Sequence, residues 1–224
     1  MKHKLIIPLI ILLLTTFNAL NAQTKKEFQK KKNVVSLDSV FFKKLTNRLE
    51  IGYNNPAQWG LSTSTTYFNG VKIGLTTDFQ LSKNMSLLTG VLYNLAYSDK
   101  LQMNPSSINY LTYGHFINIP VQFFYNLPVS NNFKFFGFAG PALNIGLSQF
   151  QGTMSTVSTI KTTYTDLYKS NLNQLDLQIS VGGGLQWNKY QLKAGYDYGL
   201  LNINRLSTGN IYQKGWYISL AVTL

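Results

Sequence analysis

The residue types that enzymes use for catalysis and metal binding are scarce in this sequence. It contains no cysteine and only two histidines, His3 and His115, so disulfides and thiolate metal sites are excluded. The sequence also lacks phosphate-binding loops, dinucleotide fingerprints and the spacing of known metal sites. We therefore expect no catalytic residue, no cofactor and no bound metal.

His115 keeps one enzymatic hypothesis open. It falls on the apolar face of a predicted strand, where outer-membrane lipid hydrolases place a serine and histidine pair that faces lipid. However, no acidic residue on that face would orient the ring, and no nucleophile motif surrounds a serine. A histidine in the interfacial belt is the simpler interpretation, and a small lipid-modifying enzyme is the alternative.

Eight charged residues, four of each sign, share the polar faces of the predicted strands. They are Arg48, Glu50, Lys72, Asp78, Lys134, Asp176, Lys193 and Asp197. Burying charges is costly unless they are paired, and a balanced set inside a narrow lumen can pair. We interpret the set as a structural ionic cluster that keeps a barrel closed; a proton or ion path is the alternative.

The elements that must position these charges are strands, because apolar and polar residues alternate along most of the chain. In "GVKIGLTTDFQL", Val71 and Ile73 point one way and Lys72 the other. The pattern recurs eight times. The predicted strands are 47–55, 67–81, 85–98, 109–127, 132–148, 174–187, 190–202 and 216–224. Three connections are short, whereas the others are long, notably the Ser- and Thr-rich 149–173, and this arrangement is typical of a transmembrane barrel.

The distribution of glycine predicts which face of each strand looks inward. Ten strand glycines lie on the polar face, and only Gly137 and Gly183 lie on the apolar face. The lumen of an eight-stranded barrel is just wide enough for side chains, so it requires small residues. We therefore predict an all-β fold, an eight-stranded antiparallel up-and-down transmembrane β-barrel with Lys72 inside and a closed lumen.

The amino-terminal residues predict export. A basic start, an apolar run and "NALNAQ" have the layout of a signal peptide, 1–22, cleaved after Ala22. A basic periplasmic segment, 23–47, follows, and the barrel domain is 48–224. Five lysines of the segment, Lys25, Lys26, Lys30, Lys31 and Lys32, contribute to the net charge of +12. We interpret it as a solvated tail, with contact to anionic lipid or an acidic partner as the alternative; nucleic acid is not expected.

Three stretches carry a resemblance to a known family. They are "FINIPVQFFYNLP", "FFGFAGPALNIGL" and "KAGYDYGLLNI". Together they resemble the PorT-like outer-membrane β-barrels of Bacteroidota-type bacteria. The resemblance implies an outer-membrane location and, from the named member, a role in type IX secretion. The sequence departs from the family pattern at Asn118, Gly195 and Leu224, where members carry an acidic residue, an arginine and an aromatic residue.

Two prolines interrupt adjacent predicted strands. With a turn at 128–132, hairpin pairing places Pro120 beside Gly140 and next to Pro141. Because a proline cannot donate to the ladder, a bulge or weak seam is expected there, and another chain could pack against this wall.

The functional hypothesis is a non-enzymatic outer-membrane barrel that acts as a structural or partner-binding component of a secretion or outer-membrane assembly complex. The expected partners are outer-membrane lipid and other envelope proteins. The alternatives are the lipid-modifying enzyme and a soluble periplasmic barrel that binds a small ligand.

Overall fold

The computed structural model describes residues 44–60, 63–98, 102–104, 107–155, 161–206 and 209–224. The predicted signal peptide 1–22 and residues 23–43, including the five lysines Lys25, Lys26, Lys30, Lys31 and Lys32, lie outside the described residues. Within the described ranges, none of the helical structure has the length and apolar character that a membrane-crossing helix requires.

The described residues form eleven strands and one short helix. The elements are β1 Lys44–Gly60, β2 Thr63–Tyr67, β3 Asn69–Gln80, β4 Met85–Ser98, β5 Gln102–Asn104, β6 Ser107–Pro128, β7 Phe133–Ser155, β8 Lys161–Asp166, α1 Leu167–Ser170, β9 Leu175–Trp187, β10 Tyr190–Gly199 and β11 Tyr212–Thr223.

Eight of the strands close into a ring. They pair in the order β1, β3, β4, β6, β7, β9, β10 and β11, and β11 pairs with β1. All pairings are antiparallel; Glu50, for example, lies opposite Gly74 on one side and Ala221 on the other. The predicted eight-stranded up-and-down barrel is therefore confirmed. The three short strands β2, β5 and β8 lie outside the ring and pair with β1, β6 and β7 respectively.

The polar face of each strand looks into the barrel. The side chains of Val71 and Ile73 are 56% and 49% exposed, whereas Lys72 between them is 6% exposed and Thr76 is 1% exposed. The same alternation holds for the other strands of the ring. Most of their large apolar residues lie on the outside, whereas a smaller set that includes Leu88, Phe124 and Phe136 points into the lumen. Lys72 is therefore inside, as the sequence predicts.

The two ends of the barrel differ in their connections. At the short-turn end, residues 81–84, 129–132 and 188–189 join neighbouring strands. Asn188 has a φ of 52°, in the left-handed region that asparagine tolerates in tight turns. At the long-connection end, β1, β6 and β7 continue beyond their predicted limits.

Several predicted boundaries are wrong at the long-connection end and at the start of β1. β1 spans 44–60 rather than 47–55, so the barrel begins four residues before the predicted domain boundary. The predicted connection 149–173 contains strand as well as loop: β7 continues to Ser155, and β8 and α1 follow. β2 and β8 form hairpins with the extended ends of β1 and β7. Threonine is frequent in both short strands, and it favours strand structure.

The lumenal glycines make room for aromatic rings. A Cβ added to Gly195 would lie 2.7 Å from Cζ of Tyr217, and one added to Gly184 would lie 2.6 Å from Cζ of Phe136. On the outer face, a Cβ added to Gly137 would meet one atom, at 3.9 Å. Glycines in the narrow lumen therefore leave space for the aromatic rings, and they also fit the curvature of the wall.

Two apolar clusters lie among the polar side chains of the lumen. The central cluster consists of Leu88, Phe124, Phe136, Phe138 and Tyr217. The cap cluster, at the long-connection end, consists of Phe68, Ala96, Phe116, Tyr168, Leu172 and Ile203. Four members of the cap cluster, Phe68, Tyr168, Leu172 and Ile203, come from connections rather than from strands, so the connections fold inward over the barrel.

Candidate functional site in the barrel lumen

Glu50 is the centre of the main charged group. Its carboxylate accepts from Nζ of Lys193 at 2.9 Å and lies 3.3 Å from Nζ of Lys72. Strands β1, β3 and β10 supply the three residues, and all three side chains are buried. Lys72 Nζ also lies 3.4 Å from the centroid of the Tyr217 ring, a cation–π contact. Asp197 lines a small cavity of about 60 Å³ with Lys72, so two cations and two carboxylates occur together.

Arg48 and Asp78 form a second pair nearer the short-turn end. Nη2 of Arg48 lies 3.0 Å from Oδ2 of Asp78 and 3.5 Å from Oε1 of Gln186. Lys134 lines the same cavity as this pair. Asp176 lies apart, towards the long-connection end, where it accepts from Nε2 of Gln178 at 2.8 Å. The structure thus divides the eight predicted charges into three groups at different heights.

Side chains cross the lumen at three heights. Near the long-connection end, Nε2 of Gln58 donates to Oε1 of Gln149 at 3.1 Å, which joins the opposed strands β1 and β7. In the middle, Nε2 of Gln122 donates to the hydroxyl of Tyr217 at 3.5 Å, which joins β6 and β11. The contact of Arg48 with the β9 side chain of Gln186 is the third crossing.

These crossings were not predicted from the sequence, although glutamine on the polar face of several strands indicated that they could form. A glutamine side chain carries both a donor and an acceptor, so two of them can bond across a narrow lumen. The missing information was the height of each residue, which depends on the stagger between strands around the ring.

The cap cluster closes over the lumen from the long-connection end. Tyr168 of α1 packs edge-on against Phe116, with ring centroids 6.4 Å apart, and a Cβ on Gly146 would contact its ring. Burial, together with the carboxylates of Asp176 and Asp166, raises the pKa of the Tyr168 phenol well above its usual value.

His115 lies on the outer face among aromatic residues. The hydroxyl of Tyr93 hydrogen-bonds to Nδ1 of His115, and the Tyr113 ring packs edge-on at 6.1 Å. Ser148 stands opposite His115 in the β6–β7 ladder, beside a register shift. In a serine–histidine–acid triad Nδ1 binds the carboxylate, and here the Tyr93 hydroxyl occupies that nitrogen. The surroundings match those of a histidine in an aromatic belt.

The two prolines do not form one wall. The observed register places Pro120 opposite Ala142, not beside Gly140, because Pro128 pairs with Lys134 rather than with residue 132. The Pro120 side chain is buried in the lumen, whereas Pro141 lies on the outer face. The predicted contact surface made of both residues is therefore wrong.

The predicted weak seam does occur, without a bulge. The β6–β7 ladder is interrupted between Pro120 and Phe123 with no change of register, and the β4–β6 ladder is interrupted between Thr89 and Leu92. A proline donates no hydrogen bond to a neighbouring strand, so each of the two prolines accounts for one of these gaps.

The family comparison agrees with this architecture. Residues 21–205 match the model of the family described as "Outer membrane protein beta-barrel domain". The chain belongs to this family. It is an outer-membrane β-barrel protein, located in the outer membrane, and the alternative of a soluble periplasmic barrel is wrong.

Solved barrels of other bacteria resemble this outer-membrane barrel. Neisserial surface protein A shares 10% identity, with a TM-score of 0.48, over 81% of this chain and 99% of that chain. Ail, the attachment invasion locus protein of Yersinia pestis, shares 13% identity, with a TM-score of 0.38, over 80% of this chain and 98% of that chain. No curated protein sequence matches this chain. The assignment rests on the family match and on the strand pairing.

Proposed function

We propose that this outer-membrane barrel is a closed, non-catalytic component that binds other envelope proteins. The main support for this proposal is the packing of side chains in the lumen. Hydrogen bonds cross the lumen at three heights, and an ion-paired Glu50 lies beside a packed aromatic cluster. A barrel that transports solutes through its lumen needs a continuous water-filled path. Cross-bonded, packed side chains favour a structural role instead.

The long-connection end supports partner binding. β6 and β7 have 22 and 23 residues, whereas a tilted transmembrane strand needs about 9–11. The β6–β7 hairpin therefore extends well beyond a single span, and the short strands β5 and β8 stand at the two ends of the strand order. Strands at the margin of a sheet are common places for another chain to add a strand.

The resemblance to PorT-like barrels supports a secretion role of the type IX kind, as do the I-P and G-P strands that carry it. In this orientation the short turns face the periplasm and the extended hairpins face outward. The basic segment 23–47 is then a periplasmic contact for an acidic partner or for anionic lipid.

Affinity purification of the tagged protein from detergent-solubilised outer membrane tests the proposal. We expect a defined envelope protein to co-purify in stoichiometric amount. A variant in which a short turn replaces 150–166 should lose the partner and still form the barrel, as circular dichroism would show. A barrel that purifies alone would contradict partner binding. Loss of more strand content than the removed parts of β7 and β8 account for would place 150–166 in the barrel scaffold.

A lipid-modifying activity is the second candidate, favoured by the position of Ser148 opposite His115. Mass spectrometry of lipid A and phospholipids from cells that carry His115→Ala distinguishes the two functions. We expect lipid profiles identical to those of wild-type cells. A changed profile, reproduced by Ser148→Ala, would contradict the non-catalytic proposal.

A further inference from the structure

We infer that the cavity at the short-turn end is a binding site for a phosphate group. The cavity has a volume of about 230 Å³ and opens where the short turns join the strands. Arg48 and Asp78 form its buried wall, and Lys134 lines it from β7. The exposed lysines Lys44, Lys83 and Lys189 surround its mouth.

The cavity has an excess of positive charge. Five cations line it, Lys44, Arg48, Lys83, Lys134 and Lys189, against one carboxylate, that of Asp78. Five minus one leaves a net charge of +4. The carboxylate is bound to Arg48 at 3.0 Å, and a single carboxylate cannot neutralise the other four cations as well. The central group differs, because there Glu50 bridges two lysines directly.

The sequence before the described residues is basic rather than acidic. Residues 23–43 contain six lysines and only two acidic residues, Glu27 and Asp38. Cations held together in a partly enclosed site repel one another, and this repulsion is relieved when an anion binds. The charge balance therefore favours an external anion.

Arg48 provides an independent indication of a ligand. Its side chain is 2% exposed and lines the cavity, yet Nε and Nη1 have no hydrogen-bond partner. Buried guanidinium nitrogens are costly to leave unpaired, and they bind phosphate and carboxylate oxygens strongly. A bound oxyanion would satisfy donors that the described protein side chains leave open.

The size and donors of the cavity favour phosphate over other anions. Its volume suits a phosphate ester or a single lipid headgroup rather than a folded domain. Polar side chains of Ser86 and Asn126 supply neutral hydrogen-bonding groups beside the cations. A phosphate group offers up to two charges and several acceptor oxygens, which matches a cluster of cations better than a single carboxylate does. Its source is either a soluble phosphate or a phospholipid headgroup at the membrane surface.

Calorimetric titration of the purified full-length protein with inorganic phosphate tests the inference, in a maltoside detergent that carries no phosphate and at low salt. Lys134→Gln should weaken binding by about tenfold or more, since it removes a charged donor. Lys169→Gln is the matched control, because Lys169 is exposed on α1 at the other end of the barrel. It should leave the affinity within about twofold of wild type.

Two results would overturn the inference. One is the absence of binding to wild-type protein at millimolar phosphate. The other is equal weakening by Lys134→Gln and Lys169→Gln, which would indicate general charge attraction only. If a glutamate-rich peptide binds and phosphate does not, the ligand of the cavity is an acidic chain rather than a phosphate group. Arg48→Lys, which keeps the charge but removes Nε and Nη1, should also weaken binding while circular dichroism shows a folded barrel.

Reconstitution distinguishes the two sources of phosphate. Vesicles of phosphatidylcholine are prepared with and without phosphatidic acid, and only those that contain phosphatidic acid supply a headgroup with a terminal phosphate. Weaker binding of inorganic phosphate in the presence of phosphatidic acid, seen in wild type and lost in Lys134→Gln, would assign the site to a lipid headgroup. Unchanged binding would assign it to a soluble phosphate.

Discussion

Glu50 holds two lysines that would otherwise repel each other inside the barrel. Its carboxylate is fully buried, with Lys72 and Lys193 at 3.3 and 2.9 Å. Removing one partner from such a group destabilises the folded protein, because it leaves a buried charge uncompensated. Asp197 beside Lys72 is the remaining carboxylate of the group.

Glu50→Gln should therefore destabilise the barrel by about 3–5 kcal/mol, the cost typical of breaking a buried ion pair. The measurement is the free energy of unfolding in urea for the protein in detergent micelles. Adding Lys193→Met to Glu50→Gln should recover part of the loss, because it removes one of the two unpaired ammonium groups. Equal stability of Glu50→Gln and wild type would show that Glu50 is not the counter-ion of these lysines.

Gly195 offers a second prediction, based on space rather than charge. An added methyl group would lie 2.7 Å from the Tyr217 ring and 2.9 Å from Phe138, so Gly195→Ala should destabilise by about 1–3 kcal/mol. Gly137→Ala is the matched control on the outer face, where the nearest atom would be 3.9 Å away. Thermal unfolding followed by circular dichroism compares the two. If Gly137→Ala is destabilised as much as Gly195→Ala, a clash with the aromatic rings is not the cause of the loss.

At the scale of elements, β6 is the strand whose ladders are interrupted on both sides. Pro120 interrupts its ladder with β4, and Pro141 of β7 interrupts the ladder on the other side. The β9–β10 ladder, by contrast, is continuous from Tyr190 to Gly199. Interrupted ladders leave fewer hydrogen bonds to protect neighbouring amides from solvent.

Hydrogen exchange should reveal this difference. We expect the amides of Val121 and Gln122 to exchange faster than those of Gly182 and Gly183 in β9, which lie at continuous ladder positions. Mass spectrometry of the protein in micelles after deuterium labelling makes the comparison. Equal protection at the two places would mean that the prolines do not weaken the seam.

The element scale also shows what the sequence could predict. Strand number, strand direction and the inward face followed from alternation and from glycine, because both reflect the local geometry of a strand. The register of the β6–β7 hairpin could not be predicted from these patterns. A turn taken as 128–132 put Pro120 beside Gly140, whereas Pro128 pairs with Lys134 and the hairpin shifts by two residues.

In the candidate site, too, the face of each residue could be predicted from the sequence, whereas the contacts between strands could not. Alternation placed Arg48, Glu50, Lys72 and Lys193 on the inner face, where the structure has them. Which carboxylate meets which cation depends on strand stagger, a property of the closed ring that no single strand encodes. The cap cluster was missed for a related reason, because Tyr168 and Ile203 belong to connections, where no periodic pattern indicates burial.

At the scale of the whole molecule, three features follow one another along the lumen. From the short-turn end these are the cavity lined by Arg48, the central group with Glu50, and the cap cluster with Tyr168. At each of these levels, ion pairs, hydrogen bonds or ring contacts join different elements of the barrel, which supports the proposed closed lumen.

Single-channel recording in planar bilayers tests whether the lumen is closed. Purified protein whose insertion is verified by flotation with liposomes should give no stepwise conductance across the range of voltages applied. A variant with Phe136, Phe138 and Tyr217 all replaced by alanine removes most of the central cluster, and it is the matched test of whether that layer seals the lumen. Silent wild-type bilayers are the predicted result. Discrete conductance steps from wild-type protein would contradict the closed barrel.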